Sequence, residues 1–190
     1  MNSKYIEEQT FTNVDFSKDT LPVAEYEYCT FVGCDFSNSS LSNIRFLETE
    51  FIDCNFSNAT LGNTSFQTVI FKNCKMLGLH FDASDQFGFA ASFDACQLNH
   101  SSFHRMKLNK TVFNDCQLEG VDFTETDLKN AKLIECNLLH ATFHNTNLEN
   151  ADFRKSTNYS FDPEQNQIKK AKFSLPEVIG LLDKYQIEIE

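Results

Sequence analysis

Apolar residues recur at every fifth position of this chain, from Ile6 to Phe81 and again from Phe93 to Phe153. A period of five fits neither the 3.6-residue repeat of an α-helix nor the two-residue alternation of a β-strand. The residue two places before each apolar centre is usually small, and the residue directly before it is often Asp or Asn. Two of every five side chains therefore point inward and three point outward, which indicates a repeat architecture of stacked coils.

The cysteines set the size of one coil. Six of the seven follow one another at the small inward position, in steps of 20, 20, 22, 20 and 20 residues; they are Cys34, Cys54, Cys74, Cys96, Cys116 and Cys136. A 20-residue step predicts four units per coil, one on each side, with Cys29 on an adjacent side. The odd number of cysteines argues against a disulfide framework, and a metal site needs thiolates clustered at shorter spacing. We therefore expect buried free thiols that act as small hydrophobes, which suits a reducing cytosol.

The repeat is interrupted over residues 82–92, whose sequence is DASDQFGFAAS. Within this segment, Phe87 and Phe89 have no place in the five-residue pattern. Two interpretations stay open. The segment is either a bulge whose aromatic rings pack on the coil below, or a projecting loop with exposed aromatic contacts, because binding residues concentrate on loops held by rigid scaffolds.

The chain becomes polar and irregular after Phe153, and one further repeat unit ends at Phe173. Residues 174–177 read SLPE, which is typical of a helix capping box with proline in the first turn. Apolar residues at helical spacing follow, and then two isoleucines that alternate with glutamates like a short strand: Val178, Leu181, Leu182 and Tyr185, then Ile187 and Ile189. A helix of about ten residues is unstable alone in water, so it must pack on the last coil or on a second copy. We therefore divide the chain into a repeat domain, residues 1–173, and a helix-and-strand cap, residues 174–190.

The repeat unit, small–Asp/Asn–Leu/Phe–polar–any, resembles that of the pentapeptide-repeat family over residues 6–153. The resemblance implies an all-β fold, a right-handed quadrilateral β-helix of about seven coils with a short C-terminal helical cap. At about 4.8 Å per coil, such a rod is roughly 36 Å long. Its open ends need caps, because exposed strand edges promote aggregation.

The C-terminal sequence SFDPEQNQIKKAKFSLPEVIGLLDKYQIEI and the position of the interruption at 82–92 resemble the McbG microcin-immunity branch of that family and its Qnr quinolone-resistance relatives. This resemblance implies a protein that acts on DNA gyrase and topoisomerase IV and imitates DNA in shape and charge. It also implies a homodimer joined through the C-terminal cap. Qnr proteins carry longer loops and a longer second rod segment than this chain.

The charge distribution is compatible with partial imitation of DNA. The formal net charge is −11, with −7 in residues 1–60, +2 in residues 61–110, −6 in residues 111–153 and zero in residues 154–190. B-DNA carries about one charge per 1.7 Å, or about 21 over a 36 Å rod, so this chain has roughly half of that density. An acidic balance also aids solubility alone. Direct DNA binding is disfavoured, because the sequence indicates no basic stripe that could neutralise phosphates.

Nothing in the sequence indicates catalytic chemistry. His104 and His144 are 40 residues apart and therefore two coils distant, about 9.6 Å, which is too far for one zinc ion. The chain has no phosphate-binding glycine loop, no GxSxG and no HExxH motif. We expect no enzyme activity, no cofactor and no metal. The N-terminus lacks a signal-peptide apolar region and no segment is long enough to span a membrane, so we expect a cytoplasmic protein.

Two functional classes remain. In the first, the protein binds a type II topoisomerase, competes with DNA for its basic groove, and protects or inhibits the enzyme, with resistance to quinolone or microcin poisons as a consequence. The residues expected to act are the acidic Asp15, Asp35, Asp122, Asp127 and Asp152, the loop contacts Phe87 and Phe89, and the dimer cap Val178, Leu181, Leu182 and Tyr185. In the second class, the protein is a general interaction scaffold with an unrelated partner and no gyrase activity.

Overall fold

The computed structural model describes residues 4–188, which wind into a four-sided β-solenoid whose coils stack in parallel. Short strands form two of its sides in the described part of the chain: β1 Lys4–Glu7, β2 Thr10–Thr12, β3 Ala24–Glu27, β4 Thr30–Val32, β5 Arg45–Leu47, β6 Glu50–Ile52, β7 Ser65–Gln67, β8 Val69–Lys72, β9 Ala91–Asp94, β10 Val112–Asn114 and β11 Lys132–Ile134. One sheet has the order β1-β3-β5-β7 and the other β11-β10-β9-β8-β6-β4-β2. Paired residues are 20 apart, as Phe31 and Phe51 are, and 22 apart across the interruption, as Phe71 and Phe93 are.

We number the four faces in the order in which the chain crosses them. The first face holds β1, β3, β5 and β7 and continues through parallel bridges from Lys107 to Asp127, Asn147 and Gln167. The second face is the seven-stranded sheet. Single parallel bridges run down the third face from Asp15 to Thr157, and down the fourth face from Ser40 to Thr60 and from His80 to Thr142. The predicted all-β solenoid is confirmed.

The core is a set of aromatic and aliphatic stacks, one behind each face. Phe31 and Phe51 are fully buried and stack with ring centroids 4.9 Å apart and planes 16° from parallel. Phe31 also meets Phe36 of the next face edge to face, with centroids 5.6 Å apart. Both are favourable aromatic geometries, so each ring contacts the coil above it, the coil below it and the adjacent face. The five-residue apolar period therefore places one large side chain per face in every coil.

The small inward residues also donate hydrogen bonds between coils. The Thr126 hydroxyl donates to the Phe103 carbonyl at 2.7 Å, and the Ser101 hydroxyl donates to the Met76 carbonyl at 2.9 Å. The Cys54 thiol donates in the same way to the Phe31 carbonyl, at a sulfur–oxygen distance of 3.4 Å. Ser, Thr and Cys are thus interchangeable at this position because each combines small volume with a donor.

The seven cysteines are buried and free, as the spacing predicts. Burial raises the pKa of the Cys29 and Cys34 thiols above its ordinary value, since the thiolate would lose its hydration. A thiol with a raised pKa and no access to solvent is a poor nucleophile. Within residues 4–188, no cluster of three or more His, Cys, Asp or Glu side chains could hold a metal ion.

Left-handed backbone makes the corners. The residue two places after nearly every centre has a positive φ, as in Asn38 at 56°, Asn58 at 59° and Gly78 at 67°. Gly and Asn adopt this conformation at least cost, whereas other residues lose about 1–2 kcal/mol. This requirement explains why Asn and Gly recur at that position of the repeat.

The tail differs from the predicted helix and strand. It forms two 3-10 helices, Glu177–Leu181 and Asp183–Tyr185, and Gln186 then turns into a left-handed conformation with φ 50°. No strand follows over residues 186–188, and Ile189 lies outside the described residues. No helix in residues 4–188 is long and apolar enough to cross a membrane.

The predicted capping box is also wrong, because its two side chains serve the rod instead. The Ser174 hydroxyl accepts a hydrogen bond from the Lys155 amide at 2.8 Å. The Glu177 carboxylate accepts one from the Asn158 amide at 3.0 Å. These contacts satisfy amides at the open end of the last coil, which has no further coil to pair with. The tail is therefore tied to the rod through the residues that the sequence assigned to helix initiation.

We expect Phe51→Ala to lower the free energy of unfolding by about 3–5 kcal/mol, because it leaves a cavity between stacked rings. Phe87→Ala is the matched control: its ring is 83% exposed, and we expect a change within about 0.5 kcal/mol. Urea unfolding followed by circular dichroism measures both. Equal effects of the two substitutions would contradict the stacked-core account.

Candidate interaction surfaces

The five aspartates predicted to form an acidic surface do not lie on one face. Asp15 and Asp35 share a column of the third face, where they are joined by a parallel bridge. Asp122 belongs to the fourth face, Asp127 to the first and Asp152 to the second. The structure therefore brings only the first two together.

Two of these aspartates are also engaged within the rod. Asp152 is 8% exposed, and the Arg154 guanidinium donates two hydrogen bonds to its carboxylate, at nitrogen–oxygen distances of 2.9 and 2.7 Å. The expectation that Asp152 offers an exposed charge is thus wrong. Asp15 is half-buried and pairs with Lys18 at 2.6 Å, and the Lys18 and Ser17 hydrogen bonds lower its carboxyl pKa to about 2.

A denser acidic cluster lies on the first face, over β1, β3 and β5. We call it the acidic patch; it comprises Glu7, Glu8, Glu25, Glu27 and Glu48. With Lys4 and Arg45 among them, five carboxylates, one ammonium and one guanidinium leave a net charge of −3. The excess of acid in residues 1–60 is evident in the sequence, but the gathering of these glutamates on one face is not. The sequence pattern that reveals the acidic patch is a glutamate directly after an apolar centre, repeated 20 residues later. Glu7 and Glu27 follow this pattern and pair across β1 and β3.

Two exposed tyrosines belong to the acidic patch. The Tyr5 hydroxyl donates to the Glu27 carboxylate, and the Tyr28 hydroxyl donates to Glu48 at 3.3 Å. The Glu27 hydrogen bond raises the pKa of Tyr5, and the Glu48 charge raises the pKa of Tyr28. Both rings are about half exposed, at 50% and 48%. The acidic patch thus offers aromatic surface as well as negative charge, a combination suited to a cationic partner.

The C-terminal half of the same face is basic. We call this cluster the basic patch; it comprises Lys107, Lys110, Lys129, Lys169 and Lys170, with Asp127 and Glu149 among them. Five lysines and two carboxylates leave +3. Lys129 pairs with Glu149 at 2.6 Å, while the other four lysines are exposed. This gathering of lysines is not evident in the sequence, because they are spread over more than 60 residues of chain.

The loop at the interruption separates the two patches. Asp85 pairs with Ser65, which places the loop on the first face. Phe87 projects with 83% of its surface exposed. Phe89 is half-buried and meets Phe66 and Phe81 edge to face, with centroids 6.1 and 6.4 Å apart. Phe89 therefore fills the core, which corrects its assignment as a loop contact, whereas Phe87 occupies the projecting position.

The cap divides its apolar residues between the rod and the surface. Leu181 is 8% exposed and Val178 packs partly buried against the core, so these two serve their own rod. Leu182 is 37% exposed and Tyr185 is 52% exposed. Lys184 pairs with Asp162 at 2.7 Å. Only part of the predicted dimer cap is thus available to a second molecule.

A groove of about 670 Å³ lies between the cap and the last coils, lined in part by His140, Tyr159, Glu177 and Asp183. Burial raises the pKa of the Tyr159 phenol to about 12. Glu177 already accepts a backbone hydrogen bond from Asn158.

The chain was compared with known families and structures. The model of the pentapeptide repeat region matches residues 24–86 and 89–174. One trypsin-treated form of QnrB1, a plasmid-mediated fluoroquinolone resistance protein, aligns with a TM-score of 0.65 at 16% identity, over 99% of this chain and 98% of that one. A second trypsin-treated form aligns with a TM-score of 0.55 at 19% identity, over 98% and 92%. A search of curated proteins found no match.

Gly180→Ala should detach the cap, because a Cβ at Gly180 would lie 1.9 Å from the Tyr159 carbonyl oxygen. Overpacking of this kind costs about 1–3 kcal/mol, so we expect amides of residues 177–185 to exchange roughly ten to a hundred times faster. Hydrogen exchange with mass spectrometry measures the change. Gly62→Ala is the control, since its Cβ would lie 3.3 Å from the Ser42 hydroxyl and should leave the cap in place. Unchanged exchange in Gly180→Ala would contradict the close packing of cap on rod.

Proposed function

This chain belongs to the pentapeptide-repeat family, and on that premise we propose that it is a binding protein for a type II topoisomerase, DNA gyrase or topoisomerase IV. In this proposal, the acidic patch enters the basic groove that otherwise holds DNA. The protein thereby protects the enzyme from a quinolone or microcin poison, or inhibits it. The protein acts through its charge and shape, without a catalytic step, and it does so in the cytoplasm.

The concentration of carboxylates on one face carries this proposal. The acidic patch spans three coils of about 4.8 Å each and therefore about 14 Å of rod. Over that length it presents five carboxylates, with a net charge of −3 once Lys4 and Arg45 are counted. B-DNA holds about eight charges over the same distance. The carboxylates on this one face therefore reach more than half of the duplex charge density, and the net charge reaches about a third of it.

The first face also supplies an anchor beside this charge. Phe87 projects from the loop on the same face as the acidic patch. Exposed aromatic side chains that bury on binding contribute much of the energy of protein interfaces. In the proposal, the acidic patch guides the encounter with the enzyme and Phe87 adds an apolar contact.

The mixed charge of the first face favours a second candidate function. A duplex is negative throughout, whereas here the acidic patch with a net charge of −3 and the basic patch with a net charge of +3 share one face. A partner with its own positive and negative regions would fit this face better than a uniformly basic groove. The alternative is therefore an interaction scaffold for an unrelated protein, with no effect on gyrase.

The proposal also includes a homodimer formed through the cap. Ile179 is 51% exposed, Leu182 37% and Ile187 56%, so an apolar surface faces outward at the end of the rod. Burying these side chains against a second cap would join two rods end to end. The resulting length would match a longer segment of DNA.

Reversal of the acidic patch by Glu7→Lys, Glu27→Lys and Glu48→Lys should abolish the effect on gyrase. We expect the unaltered protein to inhibit supercoiling, or to restore it in the presence of a fluoroquinolone or microcin poison, and the variant to do neither. The physical reason is that a basic groove repels the reversed patch. A gel assay of DNA supercoiling measures both activities.

The matched control carries Asp53→Lys, Asp94→Lys and Asp115→Lys, which make the same charge change at exposed positions of the second face. This control should act like the unaltered protein. Equal loss in both variants would show that only net charge matters. No effect of the unaltered protein on gyrase from a matched host, with or without a poison, would leave the scaffold function.

The double substitution Ile179→Asp and Leu182→Asp should halve the mass measured by light scattering at about 0.5 M salt, where charge contacts are screened. Both side chains are exposed apolar residues of the cap, and buried carboxylates would oppose association. Val23→Asp, at a 62% exposed residue near the other end of the rod, should leave the mass unchanged. A monomeric mass for the unaltered protein would mean that the cap serves its own rod alone.

A further inference from the structure

We propose that the first face is a self-complementary surface on which a second copy of this chain packs with its rod antiparallel. The proposal is independent of the topoisomerase function and of the cap contact. It rests on three observations: the two patches have opposite charge, they lie on one face, and the projecting Phe87 lies midway between them.

The first face has nine levels, one for each time the chain crosses it. The centres of eight levels are Ile6, Tyr26, Phe46, Phe66, Leu108, Leu128, Leu148 and Ile168, and the loop with Phe87 and Phe89 forms the fifth level, between Phe66 and Leu108. The acidic patch occupies levels one to three and the basic patch levels six to nine. A twofold axis at the level of the loop therefore brings level one of one copy opposite level nine of the other, and level three opposite level seven.

The matching extends to single positions of the repeat. Glu7 and Lys169 each directly follow a centre, at levels one and nine. Glu8 and Lys170 occupy the left-handed corners of the same levels, with φ 52° and 61°. In the antiparallel pair, the twofold axis runs parallel to the strands. Each column of one copy therefore lies opposite the same column of the other copy, with the order of levels reversed. Glu7 then faces Lys169 and Glu8 faces Lys170, once at each end of the pair.

A third opposite-charge pair lies nearer the middle. Arg45 and Asp127 each directly precede a centre, at levels three and seven, so the same axis brings them opposite one another. The arrangement contains one like-charge meeting, between Glu27 and Glu149. Each of these carboxylates already has a partner within its own chain, namely the Tyr5 hydroxyl for Glu27 and Lys129 for Glu149.

At the level of the loop, each residue lies opposite its own equivalent in the other copy. A residue on a twofold axis contacts its own equivalent, so Phe87 of one copy packs against Phe87 of the other. This contact removes from water a ring that is 83% exposed in the single chain. The parallel arrangement of two rods would instead place the two acidic patches opposite one another and the two basic patches opposite one another, and it is therefore disfavoured.

The pairing should be weak and dependent on salt. Eight steps of about 4.8 Å by a width of roughly 10 Å give an area on the order of 400 Å² per copy. A standard stable interface buries about 800 Å² per partner, so the pair belongs with transient contacts of micromolar or weaker affinity. Because it covers the acidic patch, any partner that binds that patch competes with self-association.

Sedimentation equilibrium of the full chain carrying Ile179→Asp and Leu182→Asp, which removes the cap contact, tests the proposal. We expect a reversible monomer–dimer equilibrium at about 0.05 M salt and a monomer at about 0.5 M salt. In that background, Glu7→Lys with Glu8→Lys should weaken association at least tenfold, and so should Lys169→Glu with Lys170→Glu. Phe87→Ala should weaken it as well. Asp94→Lys with Asp115→Lys, on the second face, is the control and should leave it unchanged.

A mixture of the two charge-reversed variants provides the decisive measurement. In the antiparallel pair, the new lysines of one variant face the new glutamates of the other, and the remaining native pairs stay intact. The mixture should therefore form a heterodimer with the original affinity, although neither variant associates alone. Recovery also shows that both variants are folded.

Three results would overturn the proposal. One is a monomer at low salt up to several hundred micromolar protein, which would leave the first face to a different protein partner. Another is association that survives both reversals. The last is a mixture that fails to recover association while circular dichroism shows both variants folded, which would exclude the antiparallel geometry.

Discussion

The structure depends on the vertical alignment of each residue with the residue one coil later. Rings such as Phe93 and Phe113 stack 4.9 Å apart and 3° from parallel only because 20 residues return the chain to the same place. The same alignment forces every outward side chain to lie over another of the same repeat position. Asn137 donates to Gln117 at 3.2 Å, and Asn55 donates to Asp35 at 3.2 Å. The surface is therefore a set of columns, and its properties follow from the columns rather than from the linear sequence.

Columns make like charges costly, because vertically paired carboxylates are about as close as cross-strand neighbours in any sheet. Several columns avoid this by alternating opposite charges, as Lys132, Asp152 and Lys172 do, or by stacking amides, as Gln97, Gln117 and Asn137 do. The acidic patch does not avoid it: Glu7 pairs directly with Glu27. Tyr5 and Arg45 relieve part of the repulsion, through the hydroxyl contact to Glu27 and an ion pair of 2.9 Å to Glu25. The same cost arises on the third face, where Asp15 lies over Asp35 and the Lys18 ammonium pairs with Asp15 at 2.6 Å.

The core could be predicted from the sequence because its rule is local and repeated. The centre residues, the coil size and the burial of the cysteines all follow from spacing. The surfaces could not be predicted in the same way, because counting charge in windows of consecutive residues mixes all four faces. Asp122 and Asp127 are only five residues apart and lie on different faces, whereas Glu7 and Glu48 are 41 residues apart and share one face. The prediction of a capped helix in the tail failed for another reason. Ser174 and Glu177 can cap a helix, but their side chains instead accept hydrogen bonds from amides of the last coil.

The interruption shows how the alignment accommodates an insertion. Two extra residues change the spacing from 20 to 22, yet Phe71 and Phe93 on the second face still stack 5.3 Å apart, and Phe81 and Phe103 on the fourth face stack 4.6 Å apart. The extra length is absorbed at one level of the first face, where Phe89 turns into the core and Phe87 turns out. Because three faces keep their stacks, the rod stays continuous through the loop. The insertion thus adds an exposed aromatic residue between the two charged patches without breaking the core that holds those patches at fixed distances from it.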